Sequence, residues 1–137
     1  MSYLIDTCAL SELVRPKPDS RVVAWFEAAP QEALHVSALS LGEIRKGIES
    51  LPDGRRRERV AVWLELELPA WFGARVLAVD GPVADEWGRL TARIGRTLPA
   101  VDSLIAATAL LHRLTLVTRN VSDFGGTGVE MINPWEG

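Results

Sequence analysis

A single cysteine, Cys8, is all the thiol chemistry this chain has, so an intramolecular disulfide and a cysteine-cage zinc site are both excluded. No apolar run approaches the roughly 20 residues that span a bilayer. The N-terminus lacks a basic segment leading into an apolar stretch of signal-peptide length. These absences predict a soluble, cytoplasmic protein with no membrane contact. Only two histidines occur, His35 in a strand-like run and His112 on an apolar helix, and neither has a partner at metal-ligand spacing. Both read as packing or surface residues. No Walker-type or dinucleotide glycine fingerprint is present. The net charge of −3 is not the strong basic excess of a protein whose main task is gripping nucleic acid. It allows brief contact with nucleic acid, and it suits acids gathered in one place.

What is present is an ordinary globular balance, 47% hydrophobic and 24% charged over 137 residues, which predicts one domain, 1–137, with a core of its own. There are no repeats, linkers or low-complexity tracts. Short apolar runs at 2–6, 33–36, 75–79, 114–118 and 129–132 read as strands. Between them lie helical patterns. One over 8–14 is stopped by Pro16 and Pro18. Another begins at Asp19 or Ser20 and ends at Pro30. A third is opened by Ser37 or Ser40 and runs to Ser50, and others cover 55–68, 82–96 and the stretch after Pro99. Strands alternating with helices predict an α/β fold, a three-layer sandwich around a mostly parallel sheet. In such sheets ligands bind outside the carboxyl ends of the strands, where strand order reverses.

Four acids have settings that draw attention. Asp6 ends the first strand in LIDTCALSEL. Glu43 flanks the apolar stripe of SALSLGEIRKGI. Asp102 lies in the first turn of LPAVDSLIAATAL, and Asp123 follows a short strand in LVTRNVSDF. Each has an ordinary structural reading. Asp6 can cap a helix, Asp102 can answer a helix dipole, Glu43 can pair with Arg45 or Lys46, and Asp123 can close an Asx-turn. Those readings do not account for four such acids at the strand ends and helix starts of one sheet. Gathered in a cleft they repel at low dielectric, unless protons or a cation neutralise them. Hard oxygen donors of this kind suit Mg²⁺ or Mn²⁺. The arginines of GRRRERV, Arg55, Arg56 and Arg57, read either as a solvated helix start or as phosphate contacts. Arg119, between the strand and Asp123, is a further candidate for phosphate.

Other chemistries fit less well. DFG at 123–125 lacks every companion of a kinase site. Cys8 has no histidine beside it in sequence. An aspartyl-phosphate enzyme would carry a second acid two residues after Asp6, where Cys8 stands.

Together LIDTCALSEL, SALSLGEIRKGI, LPAVDSLIAATAL and LVTRNVSDF, in this order and with the closing INPW, resemble the PIN domain. The resemblance is narrower to the toxin ribonucleases of bacterial VapC/FitB-type toxin–antitoxin pairs, and it covers essentially the whole chain. It implies an α/β/α sandwich whose acids bind Mg²⁺ or Mn²⁺, with Asp6, Glu43 and Asp102 as core acids and Thr7 and Thr118 as supporting hydroxyls. The family's fourth acid usually follows the TR pair directly. Here Asn120 stands there and Asp123 comes three residues later, which leaves open which of the two completes the set and whether one or two ions bind. The resemblance further implies an RNA substrate, a cognate antitoxin and a small homodimer. Competing readings are a PIN-like binding module that has lost activity, and a hydrolase of small phosphoesters.

Overall fold

The computed structural model describes residues 1–136. Five short strands form one parallel sheet in the order β3-β2-β1-β4-β5: β1 (Tyr3–Ile5), β2 (Leu34–Ser37), β3 (Val76–Leu77), β4 (Thr115–Val117) and β5 (Met131–Ile132). Seven α-helices accompany them: α1 (Thr7–Glu12), α2 (Ser20–Ala28), α3 (Ala38–Glu49), α4 (Arg55–Val62), α5 (Leu68–Phe72), α6 (Gly81–Arg93) and α7 (Ala100–His112).

Alternation along the strands assigns the two faces. Ile5, Val36 and Val117 join the core under α1–α5, whereas Leu4 and Leu116 join the core under α6 and α7. Side chains on a strand point alternately to opposite faces, so the central strands are apolar throughout. The result is the three-layer α/β/α sandwich that the strand–helix alternation predicts. No helix among the described residues is long and apolar enough to cross a membrane.

Helix starts follow the expected caps. Asp19 accepts from the Arg21 N–H at 2.8 Å, and Asp80 from Val83 at 3.1 Å. Of the two serines proposed to open α3, Ser37 is the cap, accepting from Leu39 at 3.1 Å.

The predicted helix over 55–68 differs from what is found. After Val62 the chain takes a π-helical turn, Trp63–Glu67, and then continues as α5 beyond Pro69 to Phe72. Proline has no N–H and its ring crowds the preceding turn. The wider turn lets the helix run on past Pro69 instead of stopping there. The strand expected over 75–79 shrinks to Val76–Leu77, because Gly73–Arg75 forms a 3₁₀ turn. The last strand likewise shortens to Met131–Ile132.

Candidate active site

From β1 the chain winds out through β2 to β3, then returns to place β4 on the other side of β1. Strand order therefore reverses between β1 and β4, and a crevice opens at their carboxyl ends. Asp6 is the residue after β1, and Thr118 is the residue after β4.

Asp6 is buried, with 6% of its surface exposed. Its Oδ1 accepts from the Thr7 N–H at 2.9 Å, which is the cap of α1. Its Oδ2 accepts from the Thr118 hydroxyl at 2.7 Å and from the Cys8 thiol at 3.6 Å. The capping role is thus real but uses one oxygen, while the other faces the β4 side. Burial pushes the Asp6 carboxyl above its ordinary proton affinity. The Thr118 hydroxyl and the Thr7 and Cys8 bonds pull the other way, and the Glu43 charge adds to the rise.

Glu43 projects from α3 and is exposed. Its Oε1 accepts from the Thr7 hydroxyl at 2.5 Å, and Thr7 Oγ1 also lies 2.8 Å from the buried Ser40 hydroxyl. Thr7 has one hydroxyl proton. It goes to Glu43, the shorter of the two contacts, so Ser40 donates to Thr7. Ser40 sits three residues before Glu43, hence on the same helix face.

Asp102 occupies the first turn of α7, half-buried. Among the described residues its carboxylate accepts no hydrogen bond. Desolvation raises its proton affinity first, followed by the charges of Asp6, Asp123 and Glu43 in that order. Asp102 thus feels the charges of three acids that come from three other segments of the chain. Asp123 lies on an exposed 3₁₀ turn, Val121–Phe124. Arg96 holds that turn by donating to the Asp123 carbonyl at 3.1 Å and the Gly125 carbonyl at 2.6 Å. Asn120 is exposed beside Thr118, its N–H bonded to the Thr118 hydroxyl at 3.0 Å.

The donor set consists of hard oxygens, with Asp102 uncommitted, and fits a divalent ion such as Mg²⁺ or Mn²⁺. It is an open set. Among the described residues no three His, Cys, Asp or Glu side chains close into a ready coordination shell. Mg²⁺ typically keeps several waters and takes only one or two carboxylates, so an open acidic cleft is compatible with it.

The arginines divide. Arg57 is taken up by structure: it donates to the Leu51 carbonyl at 2.9 Å and pairs with Glu49 at 3.2 Å. Arg55 is exposed at the α4 start. Arg56 donates to the Val14 carbonyl at 3.0 Å and lines a groove of about 220 Å³ that also includes Glu43 and Arg15. A second groove, about 540 Å³ and bordered by Leu39, Glu43, Lys46, Val79 and Val101, opens on the other side of Glu43. Arg119 reaches over the Trp135 indole. His35 turns its Nδ1 to the Ala33 carbonyl, and His112 is exposed at the end of α7.

Several contributors lie outside the sequence expectation. Ser40 read only as one of two serines that could open α3, not as a partner in the site. Trp87 donates from its indole to Ser103 at 2.8 Å, tying α6 to the turn that carries Asp102. Lys46 read only as a pairing partner for Glu43, and Arg15 and Arg96 gave no sequence signal, because only folding brings them beside Glu43 and Asp123.

The PIN domain family matches residues 3–124. Toxin FitB of Neisseria gonorrhoeae is 36% identical over 135 residues, 96% of this chain and 97% of that protein. VapC ribonuclease Y4jK of Sinorhizobium fredii is 36% identical over 136 residues, covering 97% of each chain. The crystal structure of FitAcB from Neisseria gonorrhoeae superposes with a TM-score of 0.91 at 35% identity, over 97% of this chain and 98% of that one. With the acids at the β1/β4 switch and this coverage, the chain belongs to the PIN domain family.

Proposed function

We propose that the protein is a divalent-metal-dependent endoribonuclease, the toxin of a toxin–antitoxin pair. The observation that carries the reading is that Asp6 follows β1 at the strand-order switch and that Asp102 has its proton affinity raised by burial and by the charges of Asp6, Asp123 and Glu43. The names of the relatives, a ribonuclease and a toxin, support it. The partner is then a cognate antitoxin, the substrate RNA, and the working form a homodimer.

Asp6 and Asp102 would hold Mg²⁺ or Mn²⁺, with Glu43 and either Asp123 or Asn120 completing the set directly or through water. Such an ion supplies a water of lowered pKa and offsets charge building on the phosphate. The chain supplies orientation and proton transfer. Thr118 and the Thr7 N–H fix both Asp6 oxygens, so that carboxylate does not turn away. One of the acids accepts the proton of the attacking water at a carboxylate oxygen. As the new P–O bond forms, the ribose oxygen leaves on the opposite side. Thr7 holds Glu43 toward the cleft. Arg119, Arg55 and Arg56 contact the RNA backbone, and Arg57 steadies the start of α4 beside them.

The test is cleavage of a structured RNA with Mg²⁺ or Mn²⁺. Asp6→Asn is expected to lose at least about 100-fold in rate, the scale on which a group acting at the transition state is felt. Equal cleavage by wild type and Asp6→Asn would sink the reading. One observation favours a second reading, that of a binding module without activity. Asn120 places a neutral amide directly after the Thr118–Arg119 pair. Calorimetry discriminates: no heat on titration with millimolar Mn²⁺ would favour the binding module.

A further inference from the structure

The closing Asn133-Pro134-Trp135 lies beyond the catalytic acids, yet it is built against the site. Thr118 N–H donates to the Ile132 carbonyl at 3.0 Å, and Val117 pairs with Ile132 in the β4–β5 ladder. This registry sets residues 118–119 alongside 133–135. The Asn133 side chain then accepts from the Trp135 N–H at 2.9 Å, an Asx-turn that swings the indole inward. Trp135 is 6% exposed and packs in the core shared with Val22 and Phe26. One face of the indole remains in contact with Arg119, whose Cζ lies 5.4 Å from the ring centroid.

Arg119 is unusual in its placement. Its neighbour Thr118 is bonded to Asp6, and its own N–H faces the Cys8 sulphur. A long cation at that point has many rotamers, and most would carry it away from the cleft. An indole face attracts a guanidinium without occupying its N–H donors. The arginine is steadied in one arc while its fork stays available to a phosphate, which it matches in a two-pronged geometry.

We propose that Trp135 is a positioning residue for RNA: its indole holds Arg119, the residue next to the Thr118 that bonds Asp6, so that the guanidinium meets a phosphate of the bound strand. This rests on the reading of the cleft as an RNA-cleaving site. Trp135 itself touches no RNA, since its ring is buried.

The experiment measures binding of a fluorescein-labelled single-stranded RNA in EDTA, where no cleavage occurs, across a salt series. Wild type is compared with Arg119→Ala, Trp135→Leu, Trp135→Phe and the Arg119→Ala/Trp135→Leu double variant, with thermal melts in parallel. Arg119→Ala is expected to weaken binding and to flatten the salt slope by about 0.7, the share of one phosphate on a single strand. Trp135→Leu is expected to weaken binding about two- to fivefold with the same flattening, as loss of an exposed cation–π contact would. The double variant should bind no worse than Arg119→Ala, and Trp135→Phe should bind like wild type.

A Trp135→Leu variant that melts lower but keeps wild-type affinity and slope overturns the proposal, as do additive effects in the double variant. Tighter binding by Trp135→Leu would also overturn it, showing that the indole restrains Arg119 away from RNA. If wild type itself binds no RNA, the reading of the cleft fails and this proposal falls with it, an outcome distinct from the others because it appears before any substitution.

Discussion

The two faces of the sheet are filled differently, and each positions an acid in its own way. Under α1–α5 the core is aromatic. Tyr3, Trp25, Phe26, Trp71 and Phe72 form a chain of tilted and edge-on rings with centroids 4.5–5.9 Å apart. Under α6 and α7 the core is mostly aliphatic, with Phe124 a buried ring and Ala106, Ala107 and Ala109 fully buried with Leu4 and Leu116. Alanines let α7 lie close on the strands and leave no slack. Asp102, whose carboxylate accepts no hydrogen bond among the described residues, is placed by that fit and by the Trp87–Ser103 tie one residue away. Glu43 comes from the looser, exposed side of α3 and is placed by hydroxyls, Ser40 to Thr7 to Glu43. One acid is set by packing and the other by a polar chain.

The hardest blow to that contrast is Ala107→Leu. Adding bulk to a fully packed position typically costs about 1–3 kcal/mol. Because α7 must shift to make room, RNA cleavage per folded molecule is expected to fall as well, with Glu43 untouched. Denaturant melts and cleavage assays normalised to the folded fraction measure both. A variant destabilised yet fully active per folded molecule would show that packing does not place Asp102.

A smaller effect is expected from Ser40→Ala. It removes one buried hydrogen bond, about 1 kcal/mol, and frees Thr7 to turn from Glu43. Its loss of cleavage should be non-additive with Glu43→Gln, since both act through one chain. Additive losses would break the relay. Ser40→Thr should restore activity if the hydroxyl is what matters.

The smallest effect concerns charge. Asp6 and Asp102 both hold protons to higher pH in the fold than in the unfolded chain. Their favourable contribution to the metal-free fold is therefore complete in acid and is lost as pH rises through the folded pKa values. Asp102→Asn removes one of the repelling charges. In EDTA it should raise the melting temperature at pH 7, and the gain should shrink as pH falls through the folded pKa and disappear below the ordinary carboxylate pKa. Added Mn²⁺ should reverse the order at pH 7, stabilising wild type more than the variant, because it binds the deprotonated acids. A gain independent of pH would mean that Asp102 is not under electrostatic strain.

Much of this was readable along the chain. Asp6 after a short apolar run, Asp102 in an alanine-rich helix start, and Glu43 at the edge of an apolar stripe all stood out because each acid interrupts an apolar pattern. The helix through Pro69 did not, since a proline reads as a stop unless a π-helical turn makes room for it. Arg57 was equally opaque. An arginine bound to its own loop carbonyl and one waiting for phosphate have the same local sequence.

What the sequence determined by itself was the parallel α/β sandwich, through strand and helix periods and their alternation, and the identity of the acids, through their local settings. Those are properties of neighbours within a few residues. Only the tertiary structure decided which groups share the cleft. Glu43 meets Thr7 across 36 residues, and Asp6 meets Thr118 across 112. The winding order of the strands makes those meetings, and no local pattern encodes a distance that the chain closes only by folding. For the same reason Trp135 read as part of a closing motif, and became a support for Arg119 only when β5 was laid against β4.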